Sequence, residues 1–330
     1  MDNFRTIVNI EQSPLQISHA HKIFLLGSCF AGNIGAKFHE AGFHTLVNPF
    51  GVLYNPSSIA TKLQHLVERK NYQKEDLTYY NNKWFSWLHD TSFAFDNKEN
   101  SLEKINRNHN KSIQFLASSD ILFITFGTSW VFSFENKIVA NCHKLPDKLF
   151  NHFQLSIQDI VNQYINLISE LKYFNKKIKI CFTVSPVRHW KDGAHGNQLS
   201  KAVLLLAIDE IIRKTENTFY FPAYEILLDE LRDYRFFSED MIHPSSVAVN
   251  YIWERFSETF FDKITLFLNL EINKLQSALK HKPFNSNSLD YKLFITKNIE
   301  RCKDLQLKYP YISIDKLVSA FQDILHKIQI

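Results

Sequence analysis

Glycine and methionine are scarce in this chain, at 8 and 2 residues of 330, whereas phenylalanine reaches 29. That balance describes a packed globular protein, and repeats and low-complexity tracts are absent. There are only four cysteines, Cys29, Cys142, Cys181 and Cys302. They stand far apart, which excludes a disulfide framework and fits a reducing cytoplasm. Charge of one sign is also lacking: 38 basic against 34 acidic residues leave a formal +4 spread along the sequence. That is too little to argue for a nucleic-acid or membrane-surface partner. No window of about 18 residues is apolar and free of charge, so no transmembrane helix is expected. The opening Met1-Asp2-Asn3-Phe4-Arg5-Thr6 has no basic segment followed by an apolar one, so no signal peptide is evident.

What is present is apolar bulk, 45% of the sequence with 14% aromatic, enough for a large core. Size statistics allow one elaborated domain or a domain plus an appendage. Residues 1–21 read as a lead-in arm. A short apolar run, Ile23 to Leu26, then ends at Gly27, and Ser28 and Cys29 precede a helix predicted from about Ala31 to Ala41. Gly42 caps that helix, Phe43 to Val47 is a second strand, and Asn55-Pro56 opens a helix to about Glu68. This β-α-β-α order predicts a parallel sheet covered by helices.

Tyr79 to Phe95 interrupts the pattern with seven crowded aromatics about an Asn81-Asn82 turn, which reads as a β-hairpin insertion and a candidate lid. Asp120 to Gly127 and Lys177 to Val184 are strong buried strands, and Thr218 to Pro222 is another. Beyond about Lys263 strand signals vanish and three helical stretches run to the end. The expected division is residues 1–262 as the main domain and 263–330 as a helical extension.

In an open parallel sheet, ligands gather beyond the carboxyl ends of the strands. Those ends carry Gly27-Ser28-Cys29, Gly127-Thr128-Ser129, Ser185-Pro186-Val187-Arg188-His189 and the approach to Asp240-Met241-Ile242-His243. A strand that delivers a hydroxyl or thiol to a helix N-terminus presents a nucleophile where unpaired N–H groups favour negative charge. A carboxylate three residues before an imidazole can hold Nδ1 and aim Nε2 at that nucleophile; a loop salt pair gives the same spacing.

Gly27-Ser28-Cys29-Phe30-Ala31, with Asn48-Pro49-Phe50-Gly51, Thr125 to Thr128, Asn141-Cys142-His143, Ser185 to His189 and Asp240 to Pro244, resembles the GSCFA family, itself similar to the GDSL/SGNH hydrolases. The resemblance covers roughly residues 20–260. It implies a three-layer α/β/α sandwich with a flavodoxin-like parallel sheet and a hydrolase or acyltransferase of esterase type, acting on a small-molecule or glycan acyl substrate without a cofactor. Aligning Gly-Asp-Ser without a gap puts Cys29, rather than Ser28, at the nucleophile position. Asp240 and His243 fall at the closing pair and Gly51 at the oxyanion glycine. The family's later Asn is missing from Gly127-Thr128-Ser129-Trp130, which leaves Ser129 or Asn141 to assist. A thiol at a helix N-terminus beside an imidazole is expected to have a lowered pKa. The alternative is a non-catalytic module of the same scaffold that binds an anionic or carbohydrate-like ligand.

Arg188, His189 and Lys191 form a candidate cationic rim for substrate, and equally fit a solvated loop with Arg188 bonded to backbone carbonyls. His143 and Trp130 are further substrate-side candidates, and Trp130 with Trp190 can wall a pocket or simply pack. Cys142, His143, Cys29 and His189 lack structural-zinc spacing, so no metal is expected. Cys181 reads as core, and Cys302, in the helical tail, as inert.

Overall fold

The computed structural model describes residues 5–328. Its strands and helices run β1 (Lys22–Gly27), α1 (Cys29–Glu40), β2 (His44–Val47), α2 (Pro56–Val67), β3 (Thr78–Tyr80), β4 (Lys83–Phe85), α3 (Lys98–Ser118), β5 (Ile121–Phe126), β6 (Trp130–Phe134), β7 (Lys137–Val139), β8 (Asn151–Gln154), α4 (Ile157–Phe174), β9 (Lys179–Val184), α5 (Gly193–Lys214), β10 (Thr218–Tyr220), α6 (Ala223–Glu225), α7 (Ser246–Phe260), α8 (Lys263–Leu279), α9 (Leu289–Lys308) and α10 (Asp315–Lys327). β2, β1, β5, β9 and β10 lie side by side in that order, every pair parallel. Numbered within the sheet this is 2-1-3-4-5, the flavodoxin-like doubly wound order. The expected three-layer sandwich is therefore the fold observed.

The two faces of the sheet follow from the alternation of side chains along each strand. Phe24, Leu26, Leu122, Ile124, Ile180 and Phe182 face a core filled by α2, α4 and α5. Ile23, Leu25, Ile121 and Phe123 face the other core, built with Phe30, Ile34 and Phe38 of α1 and Ile252, Phe256 and Phe260 of α7. Both faces are covered, so the strands read as continuous apolar runs rather than alternating ones.

The insertion is the expected hairpin: β3 pairs antiparallel with β4, and Asn81 and Asn82 take positive φ of 48° and 59° at the turn. A second antiparallel set, β7-β6-β8, stands beyond the carboxyl end of β5. The stretch Val131 to Val139 about Glu135-Asn136 reads as a short hairpin and is β6–β7, whereas β8, Asn-His-Phe-Gln, has little strand character of its own.

α8, α9 and α10 enclose a core of their own around Leu268, Ile272, Ile295 and Phe321. They meet the sheet domain at the far end of α1, where Ser313 N–H donates to Gly42 O at 2.7 Å. α1, 12 residues and about 18 Å long, begins at Cys29 and ends beside that contact. No helix among the described residues is long and apolar enough to cross a membrane.

Candidate active site

The switch point of the sheet lies between β1 and β5, and the turn after β1 is held from three sides. Gly27 N–H donates to Asn48 Oδ1 at 2.9 Å, Ser28 N–H to Thr125 O at 3.1 Å, and Gly27 O accepts Leu53 N–H at 3.0 Å. Gly27 has φ +138°, and a Cβ there would sit 2.2 Å from Thr125 O, so only glycine fits. α1 begins two residues earlier than its sequence suggests, because Ser28 is its N-cap: the hydroxyl accepts Phe30 N–H at 3.3 Å. Ser28 is fully buried, whereas Cys29 is half-buried and opens into a cavity of about 280 Å³.

That cavity is walled by Tyr54 and Asn55 at the start of α2, by Trp130, Phe132 and His152 of the β6–β8 sheet, and by Arg188, His189 and His243. Cys29 and His243 thus share one cavity. His243 Nδ1 lies 2.6 Å from Asp240 Oδ2, and Asp240 Oδ1 accepts the N–H groups of Ile242 and His243 at 2.9 and 3.0 Å. These bonds, led by the His243 N–H, hold the Asp240 carboxyl down at about 2. The ionised carboxylate can only accept, so Nδ1 of His243 donates to it, and in the neutral imidazole the lone pair lies on Nε2.

The thiol departs from expectation. Burial pushes the Cys29 pKa up, and this outweighs the nearby N–H groups of the helix start and the Lys201 ammonium, which favour thiolate. Lys201 is buried beneath the site, donating to Gly127 O at 2.6 Å and Ser185 O at 2.8 Å, which ties the carboxyl ends of β5 and β9 together. Burial lowers its ammonium to about 7. Its signal in the sequence is positional: Lys201 shares the spacing of Asn197, Leu204, Ile208 and Ile211, the buried stripe of α5.

Several expected roles need correction. Gly51, at φ +82°, spends its N–H on Asn48 O at 2.9 Å and does not line the cavity, so it is not placed as an oxyanion donor. Ser129 is fully buried behind the cavity wall, its hydroxyl engaged by Ser200 and by Gln154 Nε2. Asn141 turns its carbonyl oxygen to His143 N–H at 2.8 Å, away from the lining set. His143 itself stacks on Phe85 at 3.9 Å and bonds Ser86 O, so it belongs to an aromatic cluster and not to the substrate side. None of residues 79–95 lines the cavity, so the hairpin is not its lid.

The cationic rim shrinks to one group. His189 is neutral, its pKa driven to about 3 by burial and by the charges of Lys201 and His243. Its Nε2 is buried without a hydrogen-bond partner. Lys191 lies at the cavity edge but is paired with Asp147 at 3.0 Å. Arg188 donates to Met241 O at 3.0 Å and lies over the Trp190 ring at 4.3 Å. Trp130 does wall the cavity, fixed by a bond to Gly196 O at 3.3 Å, and so does Cys142, whose thiol burial raises to about 11. Among the described residues no three His, Cys, Asp or Glu side chains converge in a metal-binding arrangement.

The sequence reading also overlooked Tyr54 and Asn55 as cavity residues. Asn55 was legible only as a helix cap, which it is: its Oδ1 accepts Ser58 N–H at 2.8 Å. The stretch from Asn48 to Gly51 has a further hidden support in Lys62. This fully buried amine lies 2.7 Å from both Tyr72 OH and His89 Nε2 and 4.6 Å from the Phe50 ring centre, and burial pushes its pKa far down.

A flavodoxin-like sheet, with a buried, capped turn after its first strand and an Asp–His pair whose imidazole opens on the same cavity as Cys29, defines a protein of the doubly wound α/β class. Residues 22–256 match the GSCFA family and residues 272–327 match the C-terminal domain of GSCFA domain proteins. The chain belongs to the GSCFA family. Among curated proteins no match was found. Among solved structures it is similar to the Clostridium thermocellum family 3 carbohydrate esterase, at 13% identity and TM-score 0.34 over 76% of this chain and 98% of that one. It is also similar to an acetyl xylan esterase from the rumen bacterium Butyrivibrio proteoclasticus, at 11% identity and TM-score 0.36 over 74% of this chain and 64% of that one.

Proposed function

We propose that the protein hydrolyses or transfers an acyl group, with Cys29 as nucleophile, His243 as base and Asp240 as its orienter. The observation that carries this reading is the 2.6 Å contact of Asp240 Oδ2 with His243 Nδ1, on an imidazole that shares a cavity with the Cys29 thiol. Burial keeps that thiol protonated near neutral pH, so it reacts as a serine would, by general-base catalysis rather than as a standing thiolate. His243 Nε2 takes the thiol proton as Sγ bonds to the acyl carbon, then passes it to the departing oxygen. Water, or an acceptor hydroxyl, then gives up its proton to the same nitrogen, breaks the thioester and restores the thiol.

The oxyanion falls to the Cys29 N–H, since the Phe30 and Ala31 N–H groups are engaged by Ser28, and to Asn55, whose carbonyl oxygen is engaged by the helix and whose NH₂ remains a donor. Asn55 thereby fills the role for which Ser129 and Asn141 are out of place. No cofactor enters the scheme, and a thiol nucleophile suits a reducing compartment such as the cytoplasm.

One observation favours a second reading, a non-catalytic module for an anionic ligand: the raised thiol pKa beside Arg188, a guanidinium without a carboxylate partner among the described residues. Labelling with iodoacetamide and a fluorophosphonate, together with p-nitrophenyl acetate hydrolysis, separates the two on wild type, Ser28→Ala, Cys29→Ala and His243→Ala. Acyl chemistry requires turnover that survives Ser28→Ala and disappears in the other two variants. Absence of turnover, with Cys29 alkylation unchanged in rate and pH profile by His243→Ala, would sink it.

A further inference from the structure

A second groove, of about 220 Å³, adjoins the first, and Arg188 lines both. Its floor is Tyr224, Leu227, Leu228 and Phe237, and its rim carries Gln198 and Asp233. Leu227 and Leu228 lie on a π-helical turn, Ile226–Glu230, a local widening of the helix often found where a chain is shaped around a site. Tyr234 closes the far end, 65% exposed, its ring 6.1 Å from that of Phe237. Beside them Trp190 is 48% exposed beneath the Arg188 guanidinium, which also lies 5.6 Å from the Phe237 ring centre.

Each groove alone is smaller than the roughly 300 Å³ at which sites for drug-sized ligands begin. Two such spaces meeting at one residue suit a chain of rings better than a single compact ligand. The lining is apolar on the faces and hydrogen-bonding at the edges. Aromatic faces carry negative charge that attracts the slightly positive C–H bonds on the flat side of a sugar ring. Gln198, Asp233 and the unengaged N–H groups of Arg188 are suited to the ring's hydroxyls; Gln198 already accepts Tyr224 OH at 2.8 Å, which orients its amide. A peptide would need backbone partners that these side chains do not supply, and a nucleotide more positive charge than one unpaired arginine.

We propose that the group carrying the acyl ester is an oligosaccharide. Its acylated ring occupies the Cys29 cavity, the next ring lies against Tyr234 and Phe237, and Arg188 bridges the two. This rests on the acyl-transfer reading for the first groove, but binding in the second does not need catalysis, so the two can fail separately.

The test is calorimetric binding of four unacylated tetrasaccharides, xylotetraose, cellotetraose, chitotetraose and tetragalacturonate, with AMP as the nucleotide control. It is run on wild type and on Tyr234→Ala, an exposed change that leaves the fold intact, with iodoacetamide labelling of Cys29 alongside. At least one tetrasaccharide is expected to bind and to weaken tenfold or more in Tyr234→Ala, with Cys29 labelling unchanged. Binding by none of the four, binding indifferent to Tyr234→Ala, or binding of AMP in their place overturns the proposal. Saccharide binding without any ester turnover upholds the groove and removes the acyl-transfer reading instead.

Discussion

The two halves of the candidate site are held by opposite means. The turn after β1 is buried at Gly27 and Ser28 and fixed by distant parts of the chain: Asn48, Leu53 and Thr125 all bond to Gly27 or Ser28. The Asp240–His243 loop is open to solvent, both side chains being nearly half exposed, and most of its bonds are its own. Ser238 N–H reaches His243 O at 2.7 Å, Met241 N–H returns to Ser238 O at 2.9 Å, and Met241 itself sits at φ +56°. Among the hydrogen bonds of the described residues, those of Arg188, from its backbone N–H to Ile242 O and its side chain to Met241 O, tie the loop to the end of β9, and Ile242 packs against the core beside α1 and α7. A turn held by the whole fold is sensitive to local change. A pair held by local bonds can be altered while the fold stands.

Breaking the first half should have the largest effect. Gly27→Ala places a methyl against Thr125 O in a backbone conformation that L-residues avoid. Strain of about 1–2 kcal/mol and overpacking of about 1–3 kcal/mol add, with no flexible neighbour to yield. Thermal denaturation should show a loss of roughly 3 kcal/mol or more, or no cooperative transition at all; a variant melting like wild type would mean the turn is not so constrained.

Breaking the second half should leave stability nearly untouched. Asp240→Asn keeps the size of the side chain but can no longer fix the Nδ1 proton, so kcat should fall by about 10³–10⁴-fold while the melting temperature shifts little. A variant with wild-type kcat would remove Asp240 from the mechanism.

Acid distinguishes the halves more gently. His189, on the buried side, has its folded pKa lowered to about 3 from an ordinary 6.5, so the unfolded chain binds the extra proton first. Its contribution is complete above 6.5 and declines as pH falls toward 3, by up to ~3 kcal/mol at pH 4. Asp240, lowered to about 2, gains from its ionised form above the ordinary carboxylate value and loses this only as pH falls through 2. Between pH 7 and 4 the turn side should therefore weaken while the Asp240 carboxylate stays ionised. His189→Leu should flatten the fall of melting temperature over that range, and an unchanged slope would show that His189 is not neutral in the fold.

Much of this was legible because it is local. The β-α-β-α order, the Asn81-Asn82 hairpin, Asn55 as a cap and the Asp240–His243 spacing are each written within a few adjacent residues. Where expectation went astray, the missing information was a partner distant in sequence. Gly51 loses its oxyanion role to a bond with Asn48, Ser129 to Ser200, and His143 to the face of Phe85. The short β8 escaped notice because its strand form comes from pairing with β6 and not from its own residues.

The sequence by itself determined the doubly wound sheet, since apolar runs of strand length separated by amphipathic helices can bury both faces in few other ways. It also determined that Ser28 and Cys29 stand together where the first strand meets the first helix. The tertiary structure placed them differently: Ser28 is buried and caps α1, and Cys29 lines the cavity. It decided the charges as well, raising the Cys29 thiol and lowering Lys201 and His189, because desolvation depends on what surrounds a group in space and not on its neighbours along the chain.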